Sequence, residues 1–148
     1  MQTPSRPSRV SEHTLRRTVR YYELDAAGIV HFSWYFRYLE EAEHALWRAA
    51  GLSIAPQGST VEFPRVAASF EFHHPLKFEE EFDVHIRVEA LTEKSIGYRA
   101  VLTRGETLIA TGTTTAVCVK MQPGEPMRPV PIPLEIADRF AIADGARS

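Results

Sequence analysis

Residues 33–50 repeat their apolar side chains with the period of a helix, and most of the chain beyond them repeats with the period of a strand. Tyr35, Tyr38, Leu39, Ala42, Ala45, Leu46 and Ala49 recur at steps of three and four, which gathers them on one face of an α-helix. Ser33 is suited to cap its start and Gly51 to end it in a left-handed conformation. Arg37 and Glu41 stand four apart on the outer face and can pair weakly there. Beyond a loop with Pro56, Gly58 and Pro64 the period falls to two. Val66, Ala68, Phe70 and Phe72 alternate with Ala67, Ser69, Glu71 and His73. Phe82, Val84, Ile86, Val88 and Ala90 alternate with Asp83, His85, Arg87 and Glu89, the clearest strand pattern in the chain. Ile96, Tyr98, Ala100 and Leu102 give a third strand, followed by a hairpin turn at Arg104-Gly105-Glu106. Residues 107–120 read as a long fourth strand, apolar or small on both faces. An earlier alternation over residues 15–21 reads as a strand before the helix.

A helix with one wide apolar face and a sheet with one apolar face bury each other as two layers. The expected class is therefore α+β, an antiparallel curled sheet wrapped around one long central helix. The order of the strands favours a meander. With 148 residues and no internal repeat, the chain is expected to form one domain over residues 14–148. Residues 1–13, rich in Ser, Pro and Arg, read as a disordered N-terminus without the apolar core of a signal peptide. The Pro-rich residues 123–133 read as extended, with a short helix from Leu134.

Composition narrows the function classes. Apolar residues make up 44% and charged residues 24%, the balance of a globular protein. A formal net charge of -2 gives no footprint for nucleic acid. No apolar run reaches the ~20 residues that span a bilayer. The single cysteine, Cys118, excludes an internal disulfide framework and fits a reducing compartment. A cytoplasmic protein is the expectation.

Familiar catalytic signatures are missing: there is no GxSxG elbow and no GxGxxG or other phosphate-binding glycine loop. Cys118 falls inside a predicted strand, where a small buried apolar role is the default. His73 and His74 are neighbours on a predicted strand, so their side chains leave opposite faces; no metal site is expected. The informative segment lies before the helix, where Asp25-Ala26-Ala27-Gly28 forms a turn. A helix start offers free backbone N–H groups and the positive end of the dipole. Those groups suit the oxyanion of an attacked thioester while Asp25 attacks the carbonyl or activates water. The competing reading makes Asp25 a turn residue bonded to its own backbone.

The run D-A-A-G-I-V-H-F-S-W-Y-F-R-Y-L-E-E-A, from Asp25 to Ala42, resembles the 4-hydroxybenzoyl-CoA thioesterase family of hotdog proteins. That family includes the short-chain acyl-CoA thioesterase encoded beside the Tol-Pal genes of bacteria. Its pattern is an Asp, small residues, a Gly, two apolar residues, a variable pair and an aromatic within the helix. Here these are Asp25, Ala26-Ala27, Gly28, Ile29-Val30, His31-Phe32 and Tyr35. The similarity continues through Phe70-Glu71-Phe72-His73-His74-Pro75 and Leu91-Thr92-Glu93-Lys94-Ser95, over roughly residues 15–135.

The resemblance implies a hotdog fold and hydrolysis of an acyl-CoA, short-chain or aromatic, to the free acid and CoA. No cofactor is implied. The catalytic carboxylate falls on Asp25 and the polarising backbone N–H near Phe32. Gly28, His31 and Tyr35 fall on substrate-binding positions, and the basic turn that contacts CoA phosphates falls on Lys94 beside Ser95. The family works as a homodimer or homotetramer with its sites between subunits. Two departures stand out: Glu23 replaces an Asp of many relatives, and Phe32 replaces a His or Asn of several.

Other side chains have plainer alternatives. His31 is either a water- or substrate-orienting group or a partly exposed polar residue. Glu40 and Glu41 resemble the helix carboxylate used by another hotdog clade, but Glu41 also has Arg37 as a neighbour on a solvated face. Trp34, Phe36 and Trp47 suit an acyl pocket, a subunit contact or the core. Two rival functions remain: a hotdog hydratase or dehydratase, which would pair Asp25 with His31, and a non-catalytic acyl-binding protein.

Overall fold

The computed structural model describes residues 8–145. Its elements run β1 (Glu12–Thr18), a 3-10 turn (Tyr21–Glu23), α1 (Ser33–Ala49), β2 (Val61–Glu62), β3 (Arg65–Phe72), β4 (Glu81–Leu91), β5 (Ser95–Arg104), β6 (Thr107–Val117), β7 (Val119–Lys120), β8 (Arg128–Pro129) and α2 (Leu134–Ala137). A five-stranded antiparallel sheet has the order β1-β4-β5-β6-β3, and β2, β7 and β8 form a small second sheet.

The helical period and the alternation of β4 fall where the sequence puts them. Ala49, however, is exposed, and in β3 Val66, Ala68 and Phe72 are exposed while only Phe70 of that face is half-buried. Helix α1 buries Tyr35, Tyr38, Leu39, Ala42, Ala45 and Leu46 and packs against β1, β4 and β3. Strand β4 buries Phe82, Val84, Ile86 and Val88 and leaves the residues between them partly exposed. Gly51 ends the helix at a φ of 78°, a conformation that costs glycine little. Residues 10–13 extend the ordered chain beyond the expected boundary. Val10 donates to Arg139 and accepts from Ala141, at 2.8 and 3.1 Å, and β1 starts at Glu12. The rest of the terminal segment, residues 1–7, lies outside the described residues.

Several expectations are corrected. Only β4, β5 and β6 form a meander. The chain leaves β3 at one edge of the sheet and crosses to β4, whose other side is taken by β1. The crossing segment is held where it passes the helix entry. Leu76 is fully buried there and its carbonyl accepts from the Val30 N–H at 2.9 Å, while Lys77 bridges to Ile29. His73 and His74 belong to this crossing, not to a strand. The first strand stops at Thr18, because the Glu23 carboxylate caps the Arg20 N–H at 2.8 Å and turns the chain.

Strand β6 is not apolar on both faces. Ile109 and Ala110 are both buried beside a register shift opposite Leu102 and Thr103. Beyond it Gly112, Thr114 and Ala116 face inward, and Thr111, Thr113 and Thr115 form the half-buried other face. A bulge reverses the alternation, which a uniform period of two does not anticipate. Ser33 is the first helical residue and Phe32 takes the cap position without a side-chain cap bond. Glu41 is bonded to Arg17 of β1 at 2.9 Å, so its main partner comes from the sheet and not from Arg37.

Candidate active site

The turn after the 3-10 segment is built by its own backbone. The Asp25 N–H donates to the Ile29 carbonyl at 2.7 Å and the Gly28 N–H donates to the Asp25 carbonyl at 3.0 Å. Gly28 has a φ of 82°, which is why a glycine stands there. Asp25 Oδ1 accepts from the Ala27 N–H at 2.8 Å and the Ile29 N–H at 3.3 Å. The plain reading of Asp25 as a turn residue is therefore correct for one oxygen. Oδ2 has no hydrogen bond among the described residues, so the carboxylate keeps acceptor capacity for a second task.

Asp25 lines a cleft of about 370 Å³ with Ile29, Val30, Phe32 and Tyr35 on one side and Phe72, His73, His74 and Pro75 on the other. The crossing after β3 closes it, which brings together two segments distant in sequence, Asp25 to Tyr35 and Phe72 to Pro75. The wall is aromatic. Tyr35 meets Phe72 edge-on at 4.9 Å, and Phe70 contacts both Tyr35 and Phe36. Phe70 lies over Gly112 of β6, where an added Cβ would sit 2.5 Å from its ring. Burial raises the Tyr35 phenol above its usual range, only partly opposed by a backbone bond at Leu76 and the Arg104 charge. Tyr35 stays a neutral donor.

The Phe32 N–H, at the helix entry, has no acceptor among the described residues, while the N–H groups on either side are occupied. The His31 N–H donates to the Glu23 carbonyl at 2.9 Å and the Ser33 N–H donates to the His31 ring at 3.2 Å. His31 Nδ1 also bonds the Ser33 hydroxyl at 2.8 Å, and its ring stacks on Phe32 at 4.5 Å. That nitrogen thus serves the helix start. Neither His31 nor Gly28 lines the cleft.

Lys94 and Ser95 are far from Asp25 in one chain. They lie at the β4–β5 hairpin, whereas the cleft borders the opposite end of β4. Strand β4 has 11 residues, and at about 3.3 Å per residue the separation is roughly 30 Å. Ser95 bonds the Thr92 hydroxyl at 2.6 Å and the Lys94 carbonyl accepts from the Cys118 N–H at 2.7 Å. The Lys94 side chain is exposed.

The other weighed residues have structural partners. Trp47 is buried and donates to the Tyr98 hydroxyl at 2.9 Å; Glu40 stands 4.0 Å from Arg65. Cys118 is buried, which pushes its thiol up. Sequence reasoning alone does not assign Phe72, His73, His74 and Pro75 to the site. Their only signal is the likeness of the Phe70-to-Pro75 run to a family segment.

The profile of the Thioesterase-like superfamily matches residues 19–140. A curated relative from Aquifex aeolicus, named as a candidate esterase, is 33% identical over 106 residues, covering 71% of this chain and 83% of that protein. A 1,4-dihydroxy-2-naphthoyl-CoA hydrolase of Synechococcus elongatus is 23% identical over 117 residues, covering 76% and 85%. The solved structure of a gentisyl-coenzyme A thioesterase superposes with a TM-score of 0.78 at 25% identity, covering 87% of this chain and all of that one, 100%. The antiparallel sheet, its helix and these likenesses agree with the hotdog fold expected from the sequence. The chain belongs to the Thioesterase-like superfamily.

Proposed function

We propose that the protein hydrolyses an aromatic acyl-CoA thioester to the free acid and CoA. The observation that supports this reading is that Asp25 and Phe32, whose N–H has no acceptor among the described residues, line one aromatic cleft. A thioester carbonyl seated there accepts from Phe32 N–H, aided by the positive end of α1. The Asp25 carboxylate acts in one of two ways. As a nucleophile it forms a mixed anhydride, expels the CoA thiolate and is regenerated by water. As a general base it takes the proton from the attacking water. Phe32, Tyr35 and Phe72 supply flat apolar surface for an aromatic acyl group. The two relatives named for aromatic CoA thioesters support that choice. The Asp25-to-Ala42 motif favours the 4-hydroxybenzoyl-CoA thioesterase-like branch of the superfamily.

The site also calls for a second copy of the chain. Lys94 meets CoA phosphates only if it comes from a partner, given its distance from Asp25 along β4. Strand β3 offers an edge unpaired among the described residues, with Val66 and Phe72 exposed at 63% and 49%; open edges of this kind favour pairing. A hydratase reading has less support, because His31 is engaged by Ser33 and does not share the cleft with Asp25.

A panel of acyl-CoA thioesters read by thiol release tests the proposal. Aromatic acyl-CoAs should be the best substrates, and Asp25→Asn should lower kcat by about 10²–10⁴-fold. Turnover in Asp25→Asn above about a tenth of wild type removes the assigned role. Turnover of no thioester removes the function.

A further inference from the structure

Glu23 stands two residues before Asp25 and its side chain is completely buried, at 0% exposure. Its carboxylate is held from three directions. Oε1 accepts from the Arg20 N–H and the Tyr38 hydroxyl, each at 2.8 Å, and Arg17 donates to Oε2 at 2.5 Å. Arg17 in turn bonds Glu41 of α1 at 2.9 Å, and its guanidinium lies 5.0 Å from the Tyr38 ring centre. One buried carboxylate thus joins β1, the 3-10 turn and α1. Burial penalises the Arg17 charge, but the bonds from Glu41 and Glu23 outweigh it and keep the guanidinium firmly protonated.

None of these groups lines the cleft, yet they bear on its geometry. The bonds around Asp25, to Ala27, Gly28 and Ile29, shape the turn without tying it to the rest of the molecule. On the far limb the tie is made by Val30 and Ile29 to the 76–77 segment. On the near limb Tyr21 and Tyr22 are exposed at 75% and 65% and touch Phe78 and Trp34 by their rings, and Leu24 is half-buried against the core, so Glu23 is the fully buried anchor. Its carbonyl also accepts from the His31 N–H at 2.9 Å, beside the free Phe32 N–H. The same residue therefore fixes the carboxylate limb and the donor limb of the site.

We infer that Glu23, clamped by Arg17 and Tyr38, is a positioning residue that sets the separation of the Asp25 carboxylate and the Phe32 N–H. This rests on the thioesterase reading above. Reacting groups must hold near-attack geometry, and a displacement of about 1 Å costs on the order of 10²-fold in rate. Glu23→Gln keeps the shape and removes the charge that Arg17 and Tyr38 grip.

The test uses the full chain and three variants. Glu23→Gln should lower kcat by about 10–100-fold and leave KM within about twofold, because the cleft wall is untouched. Amide hydrogen exchange should quicken in residues 25–32 and stay unchanged in β4 and β5. The pair Arg17→Met with Glu23→Leu removes both charges, a change that buried ion pairs often tolerate. It should regain melting temperature without regaining kcat. Wild-type kcat in Glu23→Gln, or a pair variant that recovers rate along with stability, overturns the inference and leaves a structural ion pair only. Asp25→Asn run alongside separates the two readings. If Asp25→Asn is fully active, the thioesterase mechanism is wrong, and the exchange rates still show whether Glu23 holds the turn.

Discussion

Two buried glutamates sit on either side of the same sheet-facing helix surface and have different consequences. Glu23 precedes α1 and is gripped by Arg17; Glu43 lies within α1, 2% exposed, and is bonded by Arg65 of β3. Each arginine reaches a second helix carboxylate as well, Glu41 for Arg17 and Glu40, at 4.0 Å, for Arg65. Each cluster also includes a buried tyrosine. Tyr38 donates to Glu23, and Tyr98 interacts with Glu43 while accepting from Trp47. The chemistry is alike. What differs is the attachment: the Glu43 cluster joins two regular elements, whereas the Glu23 cluster joins regular elements to a turn that bears a functional group. A buried charge pair is a poor source of net stability, but it fixes geometry, and only at Glu23 is the fixed geometry that of the cleft.

The largest expected effect breaks the Glu43 side. Arg65→Ala strands the Glu43 carboxylate away from water, and removing one partner of a buried pair costs about 3–5 kcal/mol. Chemical denaturation should show that loss, while kcat per folded molecule stays at wild type. A fall in kcat beyond about threefold would mean that the two clusters are not separable in function.

A matched pair of smaller changes sharpens the contrast. Tyr98→Phe leaves the Trp47 N–H without its acceptor, and Tyr38→Phe removes one donor to Glu23. Each should cost about 1–3 kcal/mol. Both phenols are pushed upward by burial first, with the neighbouring carboxylate adding to it, so each is a neutral donor or acceptor across the working pH range. Only Tyr38→Phe should also lower kcat. Equal kcat in the two variants would count against a special role for the helix-entry cluster.

These clusters also show what a sequence discloses and what it hides. Periodicity is local, so α1 and the faces of β4 and β5 are legible from the alternation of Val84, Ile86 and Val88 or Tyr98, Ala100 and Leu102. The edge position of β3 is not, because it depends on the path of residues 73–80 across the helix entry, which no local pattern encodes. The same path brings Phe72, His73 and Pro75 to Asp25. Asp25 itself is legible through its motif, but the bond from Ala27 to Oδ1 and an Oδ2 without a hydrogen bond among the described residues are not, since both are matters of torsion angle. The sequence marks Glu23 only as a departure from the Asp of many relatives, with no sign that it is buried. Its partners Arg17 and Tyr38 lie 6 and 15 residues away, and nothing in their spacing announces a buried charge. The threonine face of β6 is masked by a bulge that reverses the strand's parity.

The smallest expected effect tests a third region, the β4–β5 hairpin, against both clusters. Lys94 is exposed and roughly 30 Å from the cleft along β4, so within one chain it has no route to the chemistry. If a second chain brings it to the CoA phosphates, Lys94→Ala should raise KM several-fold with kcat nearly unchanged, because a remote phosphate contact binds ground and transition states alike. The effect should fade as salt rises, since exposed charge pairs are screened beyond about 10 Å at 0.1 M. Melting temperature should not move, for the Lys94 side chain supports no buried group; only its carbonyl does, accepting from the Cys118 N–H at 2.7 Å. Light scattering gives the companion measurement: the KM effect requires an assembled species. A fully active particle with the mass of one chain, or an unchanged KM at low ionic strength, would place the CoA phosphates elsewhere and leave the hairpin as a solvated turn.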